Sequence, residues 1–281
     1  MIYIQNINAR TVKSASYLGN VGYGDGENGK SVFLNTVRDL IGDYAQQASM
    51  NTFIASRHES HSTDLAALRG ARLVAVSEVT EGKAWDEAKI KTLTGGDVVR
   101  ARFMRQDEFE FLPQFKLFIV GNDLPELRNV DPAMKRRLRF VPFTQKPARP
   151  DPHLEDALRE EFAGILAWAV RGAVEWATEG LPEPRAVAEA TAAYFDQQDV
   201  FGEWIAADCQ IGGTSQYEWE SSADLYEAWC QFAEKARHRP GNQTAFAKRM
   251  QRLGLERDRE KIKGKRQRVY RGIMLRREPR E

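Results

Sequence analysis

The feature that most constrains this chain is an eight-residue stretch, Gly-Asp-Gly-Glu-Asn-Gly-Lys-Ser, at positions 24–31. It matches the pattern G-x-x-x-x-G-K-[ST], in which glycines let the backbone curl so that successive N–H groups point at phosphate oxygens. The apolar-periodic segment VFLNTVRDLI (32–41) follows directly and predicts a helix whose N-terminus favours an anion. The sequence therefore predicts a strand–loop–helix that binds a nucleotide. The alternative for these residues is an ordinary glycine-rich turn.

Two side chains of this stretch are predicted to contact ATP and its metal ion. Lys30 would reach the β- and γ-phosphates, and the Ser31 hydroxyl would ligate Mg²⁺. The preceding stretch, residues 14–22, is less apolar than is typical of a buried central strand. The other residues predicted to contact the nucleotide are Gly24, Gly26, Asn28 and Gly29.

Short apolar runs alternate with helical periodicity between residues 14 and 145. The runs are Arg72–Val76, Phe115–Val120 and Phe140–Phe143, and the helical stretches are Lys30–Ile41 and Asp86–Leu93. Continuous apolar runs of this length are typical of parallel strands that are buried on both faces. We therefore predict an α/β fold for this part of the chain.

Polar residues end two of the predicted strands. Glu78 ends RLVAVSE, which we expect to neighbour the strand before the loop; its carboxylate would hold Mg²⁺ and orient or deprotonate an attacking water. Asn122 follows the run Phe115–Val120, and its amide can hydrogen-bond that water. Taken singly, each has a plainer interpretation, namely a surface glutamate and an Asn-Asp turn.

Three basic residues, Lys135, Arg136 and Arg137, precede the last apolar run. An arginine at this position could enter the site of a neighbouring subunit and neutralise charge in the transition state. The alternative interpretation is compensation of a helix dipole, because basic residues are common at helix ends.

Composition and charge exclude several classes of protein. The 281 residues are 42% apolar and 29% charged, and no apolar run approaches the ~20 residues of a transmembrane helix. The N-terminus lacks the apolar stretch of a signal peptide, and two cysteines form neither a metal pattern nor a disulfide framework. We therefore expect a cytoplasmic protein with no membrane contact.

The formal net charge of +1 hides a basic C-terminal end. Residues 248–281 hold fourteen Lys and Arg against five Asp and Glu, so the rest of the chain is acidic. A basic segment of this kind favours contact with a polyanion, although a solvated charged tail would have the same composition.

Helical periodicity and turn residues divide the rest of the chain. Helices are predicted over Leu154–Thr178, over Arg185–Tyr194, from about Asp199, and over Ser222–Ala236 and Thr244–Leu253, before a basic hairpin around Gly264. We predict three domains: a core over 1–146, whose first 13 residues are atypical, a helical segment over 147–211, and a basic winged-helix-like domain over 212–281.

Five blocks in this order resemble the superfamily 3 helicases. The resemblance is greatest to the C-terminal helicase part of phage and plasmid primase-helicases, to which poxvirus primase-helicases are related. It implies an AAA+-like P-loop NTPase core that assembles as a homo-oligomer, usually a hexameric ring, with ATP sites between subunits. The blocks are GDGENGKS (24–31), RLVAVSE (72–78), EGKAWDEAKIKTLTGGD (81–97), ARFMRQDEFEFLPQFKLFIVGN (101–122) and DPAMKRRLRFVPF (131–143).

The resemblance also implies roles for single residues. Matched position by position, Lys30 and Ser31 bind phosphate and Mg²⁺, and Lys91 contacts the nucleotide. Glu78 is the Walker B acid, and Asn122 is the polar sensor. The arginine finger is Arg137 or alternatively Arg136.

The implied DNA contacts lie in two places. Arg102–Phe111 corresponds to a hairpin that grips single-stranded DNA in the ring pore, with Met104 and Arg105 near its tip; a mixture of aromatic and basic residues suits stacking and backbone contact. The alternative is an ordinary hairpin with solvated arginines. At the basic end, the residues predicted to contact DNA phosphates are Lys248, Arg249, Lys263, Lys265 and Arg266.

The resemblance implies an ATP-driven DNA helicase motor of phage, prophage or plasmid replication. It would act on single-stranded or forked DNA in the cytoplasm of a bacterial host cell, together with a separate primase. Two alternatives stay open at this point. One is a DNA-binding remnant of a prophage primase-helicase with weak or no ATPase activity, and the other is a different P-loop ATPase such as a packaging motor.

Overall fold

The computed structural model describes residues 19–56, 62–77, 82–128, 130–212, 219–262 and 265–276. These residues group into two compact units that divide between Gln198 and Asp199. In the first unit the described strands are β1 (Gly19–Tyr23), β2 (Ala45–Ala48), β3 (Leu73–Ser77), β4 (Val99–Ala101), β5 (Phe109–Phe111), β6 (Lys116–Gly121) and β7 (Leu138–Pro142). Its described helices are α1 (Lys30–Ile41), α2 (Ser62–Ala66), α3 (Glu87–Leu93), α4 (Pro132–Lys135), α5 (Leu154–Glu160), α6 (Phe162–Glu179) and α7 (Arg185–Gln197).

Five of these strands form a parallel sheet in the order β2-β3-β6-β1-β7. On one face, Leu34 and Val37 of α1 pack with Phe118 of β6. On the other face, Phe140 of β7 stacks on Tyr194 of α7, with ring centroids 3.9 Å apart. Both faces are therefore buried, and the predicted α/β fold with a central parallel sheet is confirmed.

The strand before the loop is central although its sequence is only weakly apolar. Val21 is fully buried, and β1 is paired on both edges. A Cβ atom at Gly22 would lie 3.1 Å from the Phe143 ring and 3.4 Å from the Phe118 ring. Large side chains of neighbouring segments therefore fill the space that an apolar residue of β1 would otherwise occupy.

The strand order differs from the sequence prediction in one respect. The strand that leads to Glu78 was expected to neighbour the strand before the loop, but β6 lies between β1 and β3. This expectation was wrong because apolar runs carry no information on which parallel strands pair. Since all five strands are parallel, the carboxyl ends of β1, β3 and β6 still lie at one edge of the sheet.

The predicted helix over Leu154–Thr178 is two helices. α5 ends and α6 begins around Glu161, whose N–H donates to the Leu158 carbonyl at 3.2 Å in a tighter turn. α5 is held on α1, where Arg159 bonds the Asp39 carboxylate at 3.2 Å. None of the described helices, α6 included, is long and apolar enough to cross a membrane.

The second unit has its own core of aromatic rings. Trp204, Trp229 and Phe246 are buried together, and Trp204 and Trp229 have ring centroids 5.7 Å apart. Because Trp204 belongs to this core, the predicted domain limit at residue 212 lies inside the unit. The described elements of this unit are α8 (Val200–Asp208), β8 (Cys209–Ile211), β9 (Trp219–Ser221), α9 (Ser222–Lys235), α10 (Gln243–Arg252), β10 (Arg257–Ile262), β11 (Lys265–Arg271) and β12 (Ile273–Leu275).

Two small sheets accompany the helices of the second unit. β10, β11 and β9 form an antiparallel sheet in that order, and β12 pairs with β8. β10 and β11 make a two-stranded ribbon that follows α10 directly. α9 and α10 each begin at a side-chain cap. The Ser221 hydroxyl accepts a hydrogen bond from the Asp224 amide, and the Asn242 side chain accepts one from the Ala245 amide.

Candidate nucleotide site and nucleic-acid surfaces

The stretch 24–31 forms a loop between the carboxyl end of β1 and the first turn of α1. Gly24, Glu27 and Gly29 have φ angles of 144°, 64° and 84°, all in the left-handed region. A backbone that turns back on itself in this way suits a loop that surrounds a phosphate. The predicted strand–loop–helix is therefore present in the structure.

Gly24 cannot be replaced without moving the backbone. A Cβ atom built on it would lie 2.2 Å from the Phe143 carbonyl oxygen, whereas one built on Gly26 would meet nothing within 4 Å. We therefore expect Gly24→Ala to reduce the free energy of unfolding by about 2 kcal/mol or more. Urea unfolding is the measurement, and Gly26→Ala is the matched control, expected to stay within about 0.5 kcal/mol of the wild type. Equal urea midpoints for the two variants would contradict the loop geometry.

Lys30 is the first residue of α1 and turns back over the loop. Its side chain is buried, and its Nζ donates to the carbonyl oxygens of Gly24 and Asp25 at 2.7 and 3.0 Å and to Asn28 Oδ1 at 2.9 Å. Asn28 in turn donates through Nδ2 to the Phe143 carbonyl at 2.6 Å. The ammonium group is therefore fixed at the centre of the loop.

The electrostatic surroundings of Lys30 favour an added negative charge. Burial lowers the pKa of its ammonium group; the Asp25 carboxylate opposes this shift, and Lys146 adds to it. An anion beside the buried ammonium group would offset the loss of hydration. A phosphate in the loop would thus raise the pKa of Lys30 and stabilise its charged form.

The N-terminus of α1 also suits an anion. Gly29 precedes the helix with no side-chain cap on the exposed amides, and the first turn carries no acidic residue. Backbone N–H groups of a first turn lack partners within the helix and attract negative charge. Together with the open space above Gly26 and Gly29, this donor set fits a nucleotide phosphate.

Other predicted site residues lie at the carboxyl ends of β6 and β3, the same edge of the sheet as the loop. Tyr23 of β1 pairs with Gly121 of β6, and the exposed Asn122 comes next. Ser77 is the last residue of β3, is exposed and accepts a hydrogen bond from Gln47 at 3.1 Å. Glu78 lies outside the described residues, so its role as the catalytic acid stays a prediction. Binding of Mg²⁺ by Glu78 and the exposed Ser31 also stays a prediction.

Lys91 lies elsewhere. It is in the last turn of α3, and its Nζ forms an ion pair with Asp131, which caps α4 by accepting from the Met134 amide at 2.8 Å. The backbone beside it is close to Arg137, since a Cβ atom on Gly95 would lie 3.2 Å from Arg137 Nη2. The structure thus places Lys91 with Asp131 and Arg137, not with the loop of its own chain.

The Lys91–Asp131 pair predicts a pH effect on stability. Burial opposes ionisation of the Asp131 carboxyl, but hydrogen bonds from Lys91 and the Met134 amide hold its pKa below the ordinary value. A lowered pKa stabilises the fold above the ordinary value of 3.8, and this contribution is lost as the pH falls below it. We expect Asp131→Asn to remove about 1 kcal/mol at pH 7 and little at pH 3 in urea unfolding.

Asp156→Asn is the control for this pair. Asp156 also bonds an arginine, Arg159, but its side chain is 73% exposed, so we expect a smaller loss at pH 7. An Asp131→Asn effect that is equally large at both pH values would contradict the assignment.

Arg137 lies at the opposite edge of the sheet from the loop. Its carbonyl accepts from the Gly19 amide at 2.7 Å, at the amino end of β1, and its Nη1 donates to the Ala133 carbonyl at 3.1 Å. The five residues of β1 separate it from the loop by about 16 Å. Arg136 is exposed at the end of α4. Neither arginine belongs to the Lys30 site of its own chain.

β4 and β5 form an antiparallel hairpin. Met104 in its connecting segment is 72% exposed, and Arg105 has a φ of 60°. Phe103 is 37% exposed, with its ring 5.8 Å from that of Phe109. Arg102 is also exposed. The tip thus presents an aromatic ring, a thioether and arginines to solvent, and contact with DNA stays a prediction.

The residues predicted to contact DNA at the basic end differ in their surroundings. Lys248 and Arg266 are exposed, whereas the Arg249 guanidinium lies 5.4 Å from the Phe201 ring and 5.5 Å from the Trp229 ring. Arg249 therefore packs on the aromatic core, which the sequence did not indicate. Lys263 and the side chain of Lys265 lie outside the described parts of the structure.

The basic hairpin predicted around Gly264, with Arg266 among its predicted DNA contacts, has a cationic face that includes two arginines which the sequence analysis did not single out, Arg257 and Arg259. The cross-strand register of β10 and β11 places five cations on one face of the ribbon, while Asp258 and Glu260 lie on the other face, ion-paired with Arg271. The alternation Arg-Asp-Arg-Glu-Lys at 257–261 was the available signal, because residues two apart share a face of a strand. The five cations are Arg257, Arg259, Lys261, Arg266 and Arg268.

The fold and the loop together define an α/β protein with a central parallel sheet and a glycine-rich loop before α1. Comparisons with known proteins found three kinds of similarity. A family model described as a family of unknown function (DUF5906) matches residues 22–137, which include the loop and Arg137. The solved A-form apo structure of the NrS-1 C-terminal region covers 92% of this chain and 67% of its own, with 12% identity and a TM-score of 0.49.

Curated viral proteins that share sequence with this chain carry the name "Putative helicase". The protein of Acanthamoeba polyphaga mimivirus is 26% identical over 73% of this chain, and that of Frog virus 3 is 28% identical over 65%. The protein of Invertebrate iridescent virus 6 is 32% identical over 50%. The predicted resemblance to helicases is thereby confirmed. The chain spans only 23%, 21% and 15% of the length of these three relatives.

Proposed function

We propose that this chain is an ATP-driven DNA helicase motor with an AAA+-like core. The observation that carries the proposal is the loop at 24–31, in which a buried Lys30 ammonium group and the uncapped N-terminus of α1 converge at the carboxyl edge of a parallel sheet. Relatives named as helicases support the step from nucleotide binding to work on DNA.

Within the site, each residue would have a separate task. Lys30 exchanges its bonds to loop carbonyls for bonds to the β- and γ-phosphates and so neutralises the charge that develops there. Mg²⁺, held by Ser31 and Glu78, would supply further neutralisation of the phosphates. Glu78 orients or deprotonates the attacking water, and Asn122, one residue beyond β6, hydrogen-bonds that water.

A second copy of the chain would complete the site. Arg137 is about 16 Å from the loop of its own chain, so a contribution to transition-state charge has to come from a neighbouring subunit. We therefore propose a ring, by the family resemblance a hexamer, in which Arg137 and Lys91 face the nucleotide of the next subunit. The ion pair to Asp131 would position α4 and thereby Arg137.

ATP hydrolysis would be coupled to DNA through the hairpin of β4 and β5. Its exposed tip combines Phe103, Met104 and Arg105, which suit base stacking and phosphate contact with a single strand. The second unit, with helix–strand–strand–helix–helix order followed by the ribbon of β10 and β11 and a last strand, would be a winged-helix-like domain that binds DNA phosphates. The setting would be replication of a phage, prophage or plasmid, on single-stranded or forked DNA and with a separate primase.

The test of this function is ATP turnover by the full chain with and without single-stranded DNA, followed by strand separation on a forked substrate. We expect hydrolysis that single-stranded DNA stimulates, and unwinding that requires ATP. A chain that binds nucleotide and DNA but shows no DNA-stimulated hydrolysis would contradict the motor.

A second candidate is a DNA-binding remnant with weak or no ATPase activity. One observation favours it: the Lys30 ammonium group already has three acceptors within its own loop, which a phosphate must displace. A fluorescent ATP analogue decides between the two candidates. The motor requires saturable binding that unlabelled ATP displaces, whereas the remnant would bind DNA and leave the analogue free.

A further inference from the structure

We infer that two copies of this chain pair through α6, with the two α6 helices antiparallel about a two-fold axis. A two-fold contact joins the same surface of both copies, whereas neighbours in a ring of six contact each other through two different surfaces. The α6 contact is therefore additional to the proposed ring, and it does not depend on ATP hydrolysis or on DNA. Three observations on α6 support this pairing.

The first observation is that α6 is apolar on two sides. Its inner side holds the buried Ala169 and Gly172, with Ile165 and Trp176 half-buried beside them. Its outer side is exposed and carries no charge. The outer side consists of Ala163, Leu166, Ala167, Val170, Val174 and Ala177. A surface helix of a globular protein has polar or charged residues opposite its buried side. The uncharged outer side of α6 therefore indicates that a partner covers it.

The large side chains of this outer side determine how strong the contact can be. Leu166 is 46% exposed, and Val170 and Val174 are each 54% exposed. With the three alanines they offer roughly 400 Å² of apolar surface, a patch size that is often functional on a monomer. A standard interface buries ~800 Å² per partner, about twice this area. We therefore expect a reversible contact with a dissociation constant on the order of 10 μM.

The second observation is the spacing of the outer side. Its residues Ala163, Ala167, Val170, Val174 and Ala177 recur at intervals of four, three, four and three. These are the intervals of helices that pack along each other. The pattern is also symmetric about the midpoint between Val170 and Val174. An antiparallel copy centred there places Val170 against the partner's Val174 and Ala167 against the partner's Ala177, in both halves of the contact. The outer side is therefore complementary to itself, as a two-fold contact requires.

The third observation is the charge along one edge of the outer side. Arg171 and Glu175 lie one helical turn apart on this edge, and neither has an ion-pair partner among the described residues. A parallel pair would place this edge against the uncharged edge that holds Ala173. An antiparallel pair joins the two charged edges, so that each Arg171 lies beside the partner's Glu175 and the joined edge is neutral. Antiparallel helix dipoles favour the same direction.

A lipid surface is the other apolar partner that an exposed helix can have. Helices that lie on membranes are rich in Lys and Arg on their polar face, because the lipid headgroups are anionic. α6 has one basic residue, Arg171, against the two acidic residues Glu175 and Glu179. A second copy of the chain, with the same apolar side and a matching charged edge, therefore fits α6 better than a lipid surface does.

The experiment is sedimentation of the full chain without nucleotide, at concentrations from about 1 to about 100 μM. We expect the wild-type chain to form a reversible dimer. Val170→Asp combined with Val174→Asp, the acidic variant, places like charges against each other and should weaken pairing at least about tenfold. Val170→Asp combined with Val174→Lys, the charge-paired variant, should dimerise again, because antiparallel helices place each new carboxylate against a new ammonium group. Parallel helices would place like charges together in both variants.

Leu253→Asp combined with Met274→Asp is the matched control. It adds the same two charges at exposed apolar residues of the second unit and should leave dimer formation unchanged. Because Val170 and Val174 are exposed, the melting temperatures of both α6 variants should stay within about 3 °C of the wild type. A wild-type chain that stays monomeric throughout, an acidic variant that pairs as well as the wild type, or a charge-paired variant that does not pair would each overturn the inference.

The outcome is separable from that of the proposed motor. If the chain dimerises through α6 but has no ATPase activity, the motor proposal fails and the pairing stands. If the chain hydrolyses ATP but the acidic variant sediments as the wild type does, the motor stands and the pairing fails. A ring that forms without nucleotide would not hide the contact, because pairing through α6 would join two rings and the acidic variant would halve the mass.

Discussion

Replacement of Lys30 by alanine is expected to reduce ATP turnover by about 10²- to 10³-fold, the loss typical of removing one donor that stabilises transition-state charge. The ammonium group is buried at the centre of the loop and has no equivalent there among the described side chains. The fold should tolerate the change, because the three lost hydrogen bonds are offset by removal of a buried charge. The measurement is steady-state hydrolysis with single-stranded DNA, with thermal unfolding alongside.

Lys235→Ala is the control for this variant, since it removes an exposed lysine at the end of α9 and should leave turnover unchanged. A Lys30→Ala protein that is folded and hydrolyses ATP at the wild-type rate would show that the loop does not hold the reacting phosphates. Loss of activity together with loss of the folded state would call for Lys30→Gln, which keeps polar contacts with the loop.

Replacement of Arg137 by alanine is expected to have an even larger effect, about 10³-fold or more on turnover, as for an arginine finger supplied by a neighbour. Arg136→Ala is the matched variant, one residue away and exposed, and should lose no more than about threefold. Arg137 also donates a hydrogen bond to the Ala133 carbonyl, and the alanine variant loses this contact as well. Arg137→Lys, which keeps a cation at this position, measures how much of the loss in turnover is structural. A large loss for Arg136→Ala with little for Arg137→Ala would assign the finger to Arg136.

Mixing the two inactive variants tests whether the site is shared between subunits. In a ring of randomly mixed Lys30→Ala and Arg137→Ala chains, about a quarter of the interfaces would hold an intact Lys30 and an intact Arg137. We therefore expect hydrolysis to reappear on mixing. Activity that stays at the level of the separate variants would contradict completion of the site by a second copy.

The sequence predicted the parts of the fold that local pattern determines. α1 has the predicted bounds, Lys30–Ile41, because its apolar residues recur with helical period and Gly42 ends it. β1 was predicted only weakly, since Gly19 and Gly22 replace apolar residues where the side chains of neighbouring leucines and phenylalanines fill the space. The insertion of β6 between β1 and β3 depends on long-range pairing, which no local pattern records.

The residues of the candidate site could likewise be predicted where a local motif determines them, but not where their positions depend on long-range packing. The loop follows from its own eight residues, so Lys30 and Asn28 are where the motif places them. The distance of Lys91 and Arg137 from that loop depends on the direction of the strands and on the packing of α3 against α4. Likewise, Arg249 resembles a surface cation in the sequence but packs over Phe201 and Trp229.

The central claim is that the loop at 24–31 binds the triphosphate that the chain hydrolyses. Calorimetric titration of the full chain with a slowly hydrolysed ATP analogue and Mg²⁺ tests it most directly, with Lys30→Ala as the comparison. The claim predicts saturable binding of one nucleotide per chain, weakened at least about tenfold by Lys30→Ala. The absence of saturable binding, or an affinity that does not change when Lys30 is replaced, would contradict it.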